Sequence, residues 1–251
     1  MDAPGARICK AFFLTASPVP MILPPVSHSW LPWWTSVATR PLRPWWPHTW
    51  WRMEASPAHP PTVYLTFDDG PTAIATEALL RILRHYDARA TFFLIGHHVQ
   101  AHPQRVRRIV EAGHAVGNHT FTHVDAWQTA RSTVIRELED TARVIRAHTG
   151  GPVPLLRPPY GHLTPALCRW AGRHGARVVM WDVMPADFQR GASPTSVARF
   201  TTAHVRSGSI VVLHDNPMTE PVTLQALEAI LRWGTARGWR FEALPTPTTG
   251  P

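Results

Sequence analysis

Residues 62–70 have the sequence TVYLTFDDG, in which β-branched and aromatic residues lead directly into two adjacent carboxylates and a glycine. A short run of this composition predicts a buried strand over 62–67. Further runs of the same kind lie at 90–95, 115–118, 155–157, 176–181, 209–213 and 240–242, of which 155–157 is the weakest. Chemically reactive side chains follow several of these runs, so the segment at 62–70 sets the pattern for the whole domain.

Longer helical stretches separate the predicted strands, at 75–86, 103–112, 130–148, 164–174, 194–206 and 221–237. The stretch at 130–148 is the clearest, because Val134, Leu138 and Ile145 fall at helical spacing and Gly150 follows as a stop. Strands that alternate with helices indicate parallel βα units. The sequence therefore predicts an α/β fold, a distorted, incomplete (β/α) barrel of about seven parallel strands, with its active site at the carboxyl ends of the strands.

The length of 251 residues fits one large α/β domain, and the composition places the start of that domain near residue 62. Residues 1–61 contain 12 of the 26 prolines and seven of the 12 tryptophans, with no helical or strand period. We therefore expect a leader over 1–61 that is disordered or absent from the mature protein, a domain over 62–247 and a tail over 248–251. Alternatives for the leader are an aromatic segment that stacks on sugars or lies at a membrane interface, and translation from Met53.

Charge and cysteine content narrow the classes of partner. The chain has 25 basic and 17 acidic residues but no long run of bases, so no nucleic-acid partner is expected. Two cysteines are too few for a disulfide framework. No apolar stretch reaches the ~18 residues of a membrane span, so no stable span is expected. We also expect the protein to be a monomer. Arg7 and Lys10 precede an apolar patch that resembles a poor export signal, which leaves the cytoplasm open as a location.

The adjacent carboxylates Asp68 and Asp69 stand at the exit of the first predicted strand. Like charges this close raise a pKa unless a cation neutralises one of them, so the pair suggests a metal site. A tight turn is the alternative interpretation, because Asp-Gly is a common turn pair.

His119 and His123 belong to the segment HTFTH that follows the strand predicted at 115–118. If this segment turns helically, residues four apart lie on one face and both imidazoles reach one cation. Together with Asp69 they form a ligand set that leaves positions open for water and substrate. Two ordinary surface histidines are the alternative, since the chain has 15 histidines.

Two later strand exits also carry reactive groups. The segment RPPYG at 157–161 forms a stiff loop that can aim a backbone N–H at an oxyanion, and Arg157 can pair with a carboxylate, although an ordinary turn has the same sequence signs. His214 ends the strand predicted at 209–213 and can act as a general acid or base. Strand alternation places Val212 on the same side as His214, where it can line a small apolar pocket.

Taken together, these segments resemble the polysaccharide deacetylase family, which is carbohydrate esterase family four, over roughly residues 62–247. Five motifs occur in the order typical of the family: TFDDG at 66–70, HTFTH at 119–123, RPPYG at 157–161, Asp187-Phe188 and Leu213-His214. The family includes chitin, chitooligosaccharide, peptidoglycan and acetylxylan deacetylases. The resemblance therefore implies a hydrolase that removes acetyl groups from an N-acetylated glycan, and it favours the cell envelope or the outside of the cell as location.

The resemblance also implies a role for each matching residue. Asp69, His119 and His123 would hold one divalent metal, Zn²⁺ or else Co²⁺ or another ion. The catalytic residues would be Asp68 as general base, Arg157 as its orienting partner, His214 as general acid, Asp187 as the partner of His214, and Tyr160 through its backbone N–H. The substrate-binding residues would be Val212, Leu213, Tyr160 and Phe188.

The chain departs from the family pattern at two positions. Phe188 stands where the family often has Trp, and Met184 stands where an Asp is usual, so the surroundings of Arg157 and His214 are the least defined part of the expected site. His97 and His98 match no ligand position of the family and are interpreted as loop residues.

Three other functions remain as alternatives. A catalytically silent carbohydrate-binding protein can keep the same fold, and a sugar deformylase or O-acetyl esterase can use the same residues. A non-haem iron oxygenase also uses two histidines and one carboxylate, but its usual ligand order differs from the order found here. Acetate release from an N-acetylglucosamine oligomer separates the first of these from the deacetylase.

Overall fold

The computed structural model describes residues 46, 49–56 and 58–246, so most of the expected leader and the tail at 248–251 lie outside the described residues. The strands are β1 (Thr49–Trp50), β2 (Thr62–Asp68), β3 (Ala90–Leu94), β4 (Ala115–Asn118), β5 (Leu155–Leu156), β6 (Arg177–Val179), β7 (Ile210–His214) and β8 (Arg240–Phe241). The α-helices are α1 (Ala75–His85), α2 (Gly96–Ala101), α3 (Pro103–Glu111), α4 (Arg131–Thr149), α5 (Pro165–Arg173), α6 (Pro194–His204) and α7 (Glu220–Thr235). A short 3-10 turn covers Pro159–Gly161.

The strands form one curled parallel sheet in the order β1-β6-β5-β4-β3-β2-β7, with β8 beside β2. The segment that follows β6 pairs with β7 and so closes the curled sheet into a barrel. The backbone N–H groups of Asp182 and Val183 both donate to the carbonyl of Ile210 at 3.2 Å, and Val183 pairs with Val211. The predicted distorted (β/α) barrel is confirmed, and β2 to β8 correspond to the seven predicted strands.

Alternation along β2 separates two hydrophobic cores. Val63, Leu65 and Phe67 pack in an outer cluster between the sheet and the helices, whereas Tyr64 packs against the inner cluster that includes Val212. Fully burying one such side chain contributes about 1.5–3 kcal/mol, so a slip of one residue would expose the whole outer row. This register brings Asp68 to the mouth of the barrel on its inner side.

The apolar stripe predicted at 130–148 is buried in helix α4. In α4, Val134, Leu138 and Ile145 are buried, and the helix ends at Gly150, whose φ of 70° forms the left-handed cap. Within the described part of the chain, no helix combines the length and apolar character needed to cross a membrane.

The ordered sheet begins before the expected domain boundary at residue 62. Trp50 in β1 accepts a hydrogen bond from the backbone N–H of Met180 at 2.7 Å, and the N–H of Met53 donates to Gly208 at 2.8 Å. Trp50, Trp51 and Met53 also pack against the inner core cluster. A strand of two residues is too short to produce a sequence period, which is why the composition of 1–61 concealed it.

His114 is a buried titratable group in the outer layer of the fold. Its Nδ1 accepts the backbone N–H of Ala90 at 3.1 Å, and its ring lies edge-on to Phe92. Burial, followed by the nearby positive charge of Arg89, lowers the pKa of His114 from 6.5 to about 4. The folded protein therefore holds this imidazole neutral where the unfolded chain would bind a proton.

This difference predicts a loss of stability in mild acid. Above pH 6.5 the imidazole is neutral in both states, and as the pH falls toward about 4 only the unfolded chain takes up the proton. We expect this residue alone to lower the free energy of unfolding by about 3 kcal/mol between pH 7 and pH 4. Urea unfolding of the chain and of His114→Gln, measured across that range, checks the prediction, and equal pH dependence in both proteins would contradict it.

Candidate metal centre and active site

The candidate site lies at the carboxyl ends of β2, β4 and β7, where the fold brings three expected ligands together. Asp69 follows β2, and its Oδ1 lies 3.6 Å from His119 Nε2 and 3.4 Å from His123 Nε2. The three ligand atoms all lie within 4.8 Å of one another. One cation can therefore contact all three groups.

The hydrogen bonds around the triad fit a divalent cation. Asp69 Oδ1 is buried without a hydrogen-bond partner, whereas Asp69 Oδ2 accepts from Asn216 Nδ2 at 2.8 Å. His119 Nδ1 lies 2.8 Å from the carbonyl of Arg157, which can only accept, so His119 Nε2 presents its lone pair toward Asp69. An unpartnered buried carboxylate oxygen that faces an imidazole lone pair is stabilised by a cation between them.

The charges of the triad also favour metal binding. Burial opposes ionisation of Asp69, but the imidazole of His123 3.4 Å away, the charge of His214 and the hydrogen bond from Asn216 together hold its pKa well below the usual range. Burial lowers the pKa of His119, more than the neighbouring carboxylates raise it. An ionised carboxylate beside a neutral imidazole is the protonation state that a metal ligand set requires.

The segment that carries the histidines is not the helical turn that the sequence analysis considered. Thr120 and His123 have positive φ values of 65° and 59°, and the chain bends as an irregular loop. Glu137 on α4 holds this loop by accepting the backbone N–H groups of Phe121 and Thr122 at 2.8 and 2.6 Å. The two imidazoles meet through loop geometry rather than through helical spacing.

Arg157 holds the expected base, Asp68, in place from inside the barrel. Its fully buried guanidinium donates to Asp68 Oδ1 and to Thr66 Oγ1, each at 2.7 Å. It also donates to the carbonyls of Val179 and Met180 at 3.2 and 2.9 Å. The other oxygen of Asp68 lies 4.0 Å from His119 Nε2, beside the candidate metal position.

Arg157 has enough hydrogen-bond acceptors even though Met184, rather than an acid, stands nearby in the sequence pattern. Met184 is buried in the inner cluster, and the guanidinium already has one carboxylate, one hydroxyl and two carbonyls as acceptors. The absence of an acid at this position is therefore compatible with an ordered arginine.

His214 lies on the other side of the site as a protonated imidazole. Its Nδ1 donates to Asp187 Oδ1 at 2.8 Å, and Asp187 Oδ2 accepts from the backbone of His214 and from Thr223 Oγ1. Burial lowers the pKa of His214, but the charge and hydrogen bond of Asp187, with smaller contributions from Asp69 and Asp68, raise it to about 9. Phe188 covers the imidazole with its ring edge-on at 4.9 Å. His214 can thus donate a proton at neutral pH.

The alternation of β7 corrects one expected substrate contact. Val212 lies in the inner cluster on the side of His214, as predicted. Leu213 lies fully buried in the outer cluster among the residues that face the helices, so it does not line the site. Tyr160 is exposed and its ring lies 4.8 Å from that of His123, at the rim of the site.

His97 and His98 lie in helix α2 rather than in a loop, and both form hydrogen bonds to the backbone of the loops around the site. His98 Nδ1 lies 2.7 Å from the carbonyl of Asp69, and His97 Nδ1 lies 2.9 Å from the carbonyl of Phe121. Each imidazole therefore donates to the backbone of a loop that carries candidate metal ligands.

Asp215 and Asn216 support the candidate site, and no pattern in the sequence predicted them. Asp215 accepts the hydroxyls of Thr72 and Thr76 at 2.8 and 2.5 Å, and burial raises its pKa to about 6. A side chain at Gly70 would clash with the Asp215 carboxylate, so a residue without a Cβ is required there. The contacts that tie these two residues to the site reach partners more than a hundred positions away in the chain, and no local pattern marks them.

Asn216 offers a direct test of how the carboxylate is oriented. We expect Asn216→Ala to weaken zinc binding about 10- to 100-fold, because Asp69 loses the donor that turns its free oxygen toward the histidines. Competition with a chelator measures the dissociation constant, and thermal unfolding of the metal-free variant controls for changes in the loop. Unchanged zinc affinity in a folded variant would contradict the orienting role.

Comparison with known proteins gives consistent matches. The sequence profile of the family described as Polysaccharide deacetylase matches residues 55–179. A chitooligosaccharide deacetylase of Sinorhizobium fredii is 39% identical over 156 residues, which are 62% of this chain and 72% of that protein. A peptidoglycan-N-acetylglucosamine deacetylase of Bacillus cereus is 34% identical over 181 residues, covering 71% and 84% of the two chains.

A solved structure resembles the fold as well. The family 4 carbohydrate esterase from Streptomyces lividans, solved in complex with acetate, superposes with a TM-score of 0.67. It is 33% identical in sequence, and the match covers 76% of this chain and 95% of the esterase.

Proposed function

The chain belongs to the polysaccharide deacetylase family and is accordingly a hydrolase that removes acetyl groups from N-acetylated sugars; we propose that the residues gathered at the barrel mouth carry out this reaction. The observation that supports the assignment is that five reactive side chains lie together at the barrel mouth. Asp69, His119 and His123 converge on one point, with Asp68 and His214 on either side of it. Both the base and the acid are therefore present, which favours an enzyme over a silent binding protein.

Asp69, His119 and His123 would hold a divalent cation, which would polarise the acetyl carbonyl and make water more acidic. The nitrogen and oxygen donor set and its small size suit zinc, which we propose as the ion, and cobalt can occupy the same set.

The protein residues divide the proton transfers between them. Asp68 takes a proton from water, and the hydrogen bond from Arg157 holds its carboxylate in position. The oxygen of that water bonds to the acetyl carbon, and the backbone N–H of Tyr160 stabilises the charge on the carbonyl oxygen. His214 then gives its proton to the sugar nitrogen as the carbon–nitrogen bond breaks, which releases acetate and the free amine. Val212 lines the space for the acetyl methyl group.

The substrate class is proposed from the relatives and from the charge of the chain. Relatives that act on chitooligosaccharides and on peptidoglycan are similar to this chain over most of its described length. Peptidoglycan is an acidic polymer, and the net charge of +8 favours attraction to it. We propose a peptidoglycan or chitin-type glycan of N-acetylglucosamine, and acetate release across a panel of such glycans identifies it.

Asp68→Asn separates catalysis from metal binding. We expect turnover to fall by at least ~10³-fold, because the amide cannot take a proton, while zinc content stays near one ion per chain. His119→Ala is the matched variant and is expected to lose both zinc and activity. Acetate release and elemental analysis of the same preparations give the two results. Full activity in Asp68→Asn would remove Asp68 as the base.

A further inference from the structure

A row of aromatic rings runs from the candidate metal centre to the protein surface. The ring of His123 lies 4.8 Å from that of Tyr160, and the ring of Tyr160 lies 5.6 Å from that of His162. His162 in turn stacks on Trp127 at 3.8 Å with the planes 2° from parallel. Of these four residues, only His123 belongs to the proposed metal site. Trp127 and His162 have no role in the reaction as described above.

Hydrogen bonds fix the outer end of this row. The indole N–H of Trp127 donates to the carbonyl of Leu163 at 3.0 Å. Asp125 accepts from the backbone N–H of Trp127 at 2.9 Å and from His162 Nδ1 at 2.6 Å. Gln128 also donates to the second oxygen of Asp125 at 2.7 Å. Trp127 and His162 are therefore held as one unit before any ligand arrives.

The exposure of this unit is unusual for side chains so firmly held. Trp127 is 66% exposed and Tyr160 is 63% exposed. An aromatic ring left in water gives up most of the free energy that its burial would supply. A ring that is fixed but uncovered loses little conformational entropy when a ligand covers it.

We propose that Trp127, His162 and Tyr160 form a stacking subsite for a sugar ring that neighbours the reacting sugar. This inference rests on the proposed function and extends it, because it predicts that the enzyme prefers oligomeric glycans over short ones as substrates. The C–H faces of a pyranose ring are apolar and match an exposed indole, and the row leads directly to a metal ligand. A glycan chain bound in the metal site would therefore run on over Trp127.

The test compares glycan binding in chains that cannot turn over. Calorimetry would measure the dissociation constant of an N-acetylglucosamine pentamer, with zinc present, for Asp68→Asn alone and for Asp68→Asn combined with Trp127→Ala. We expect the added change to weaken pentamer binding about tenfold, since aromatic contacts of this kind are worth about one power of ten. Trp127→Phe, which keeps a ring, should recover most of the affinity.

A matched control removes a tryptophan elsewhere. Trp233 lies in the last turn of α7, at the opposite end of the barrel from the site, and Trp233→Ala should leave pentamer affinity unchanged. In the otherwise native chain, Trp127→Ala should raise the KM for the pentamer with little change in kcat. Thermal unfolding shows whether each variant is folded.

The outcomes separate the subsite from the function. Equal pentamer affinity with and without Trp127 in folded proteins would overturn the subsite, as would a change in oligomeric state that accounts for the whole effect. If Trp127→Ala weakens binding but the native chain releases no acetate from any glycan, the subsite stands and the proposed function fails.

Discussion

The arrangement of the site depends on one buried cation, the guanidinium of Arg157. A charge removed this far from water is tolerated only when its hydrogen bonds are satisfied, and here every acceptor comes from a strand or a strand exit. The carboxylate of Asp68, the proposed base, is one of those acceptors, so its position is fixed by the fold itself. The carbonyl of Arg157 also accepts a hydrogen bond from His119 Nδ1. A single residue thus orients both the proposed base and a candidate metal ligand.

Much of the fold and the centre of the site could be predicted from the sequence because their signals are local. Strand β2 shows its apolar run and its terminal carboxylates within nine residues, and the later strand exits repeat this arrangement. Parallel strands bring their carboxyl ends to one face, so residues that are distant in sequence become neighbours. The meeting of Asp69 with His119 follows from this rule, without knowledge of any loop.

The supporting residues could not be predicted because their partners are distant or belong to irregular backbone. Asn216 reaches Asp69 across the mouth of the barrel, and Thr223 reaches Asp187 from helix α7. Neither has a spacing that suggests such a contact. The loop that joins His119 to His123 depends on Glu137, which the sequence shows only as one charge on an amphipathic helix. The position of Leu213 on the outer face could have been predicted from strand alternation, since the alternation that places Val212 inward necessarily places its neighbour outward.

The left-handed backbone at Asp69, Thr120, His123, Tyr160 and Ala186 has a consequence for heat resistance. Residues other than glycine cost about 1–3 kcal/mol each in sparsely populated conformations, and such residues persist only where the surroundings hold them. Four of these five lie in the loops that form the site, outside the regular strands and helices. We therefore expect warming to disorder these loops before it melts the barrel, so that inactivation precedes global unfolding. A cation held by Asp69, His119 and His123 would link two of the loops and bring the temperature of inactivation closer to that of global unfolding.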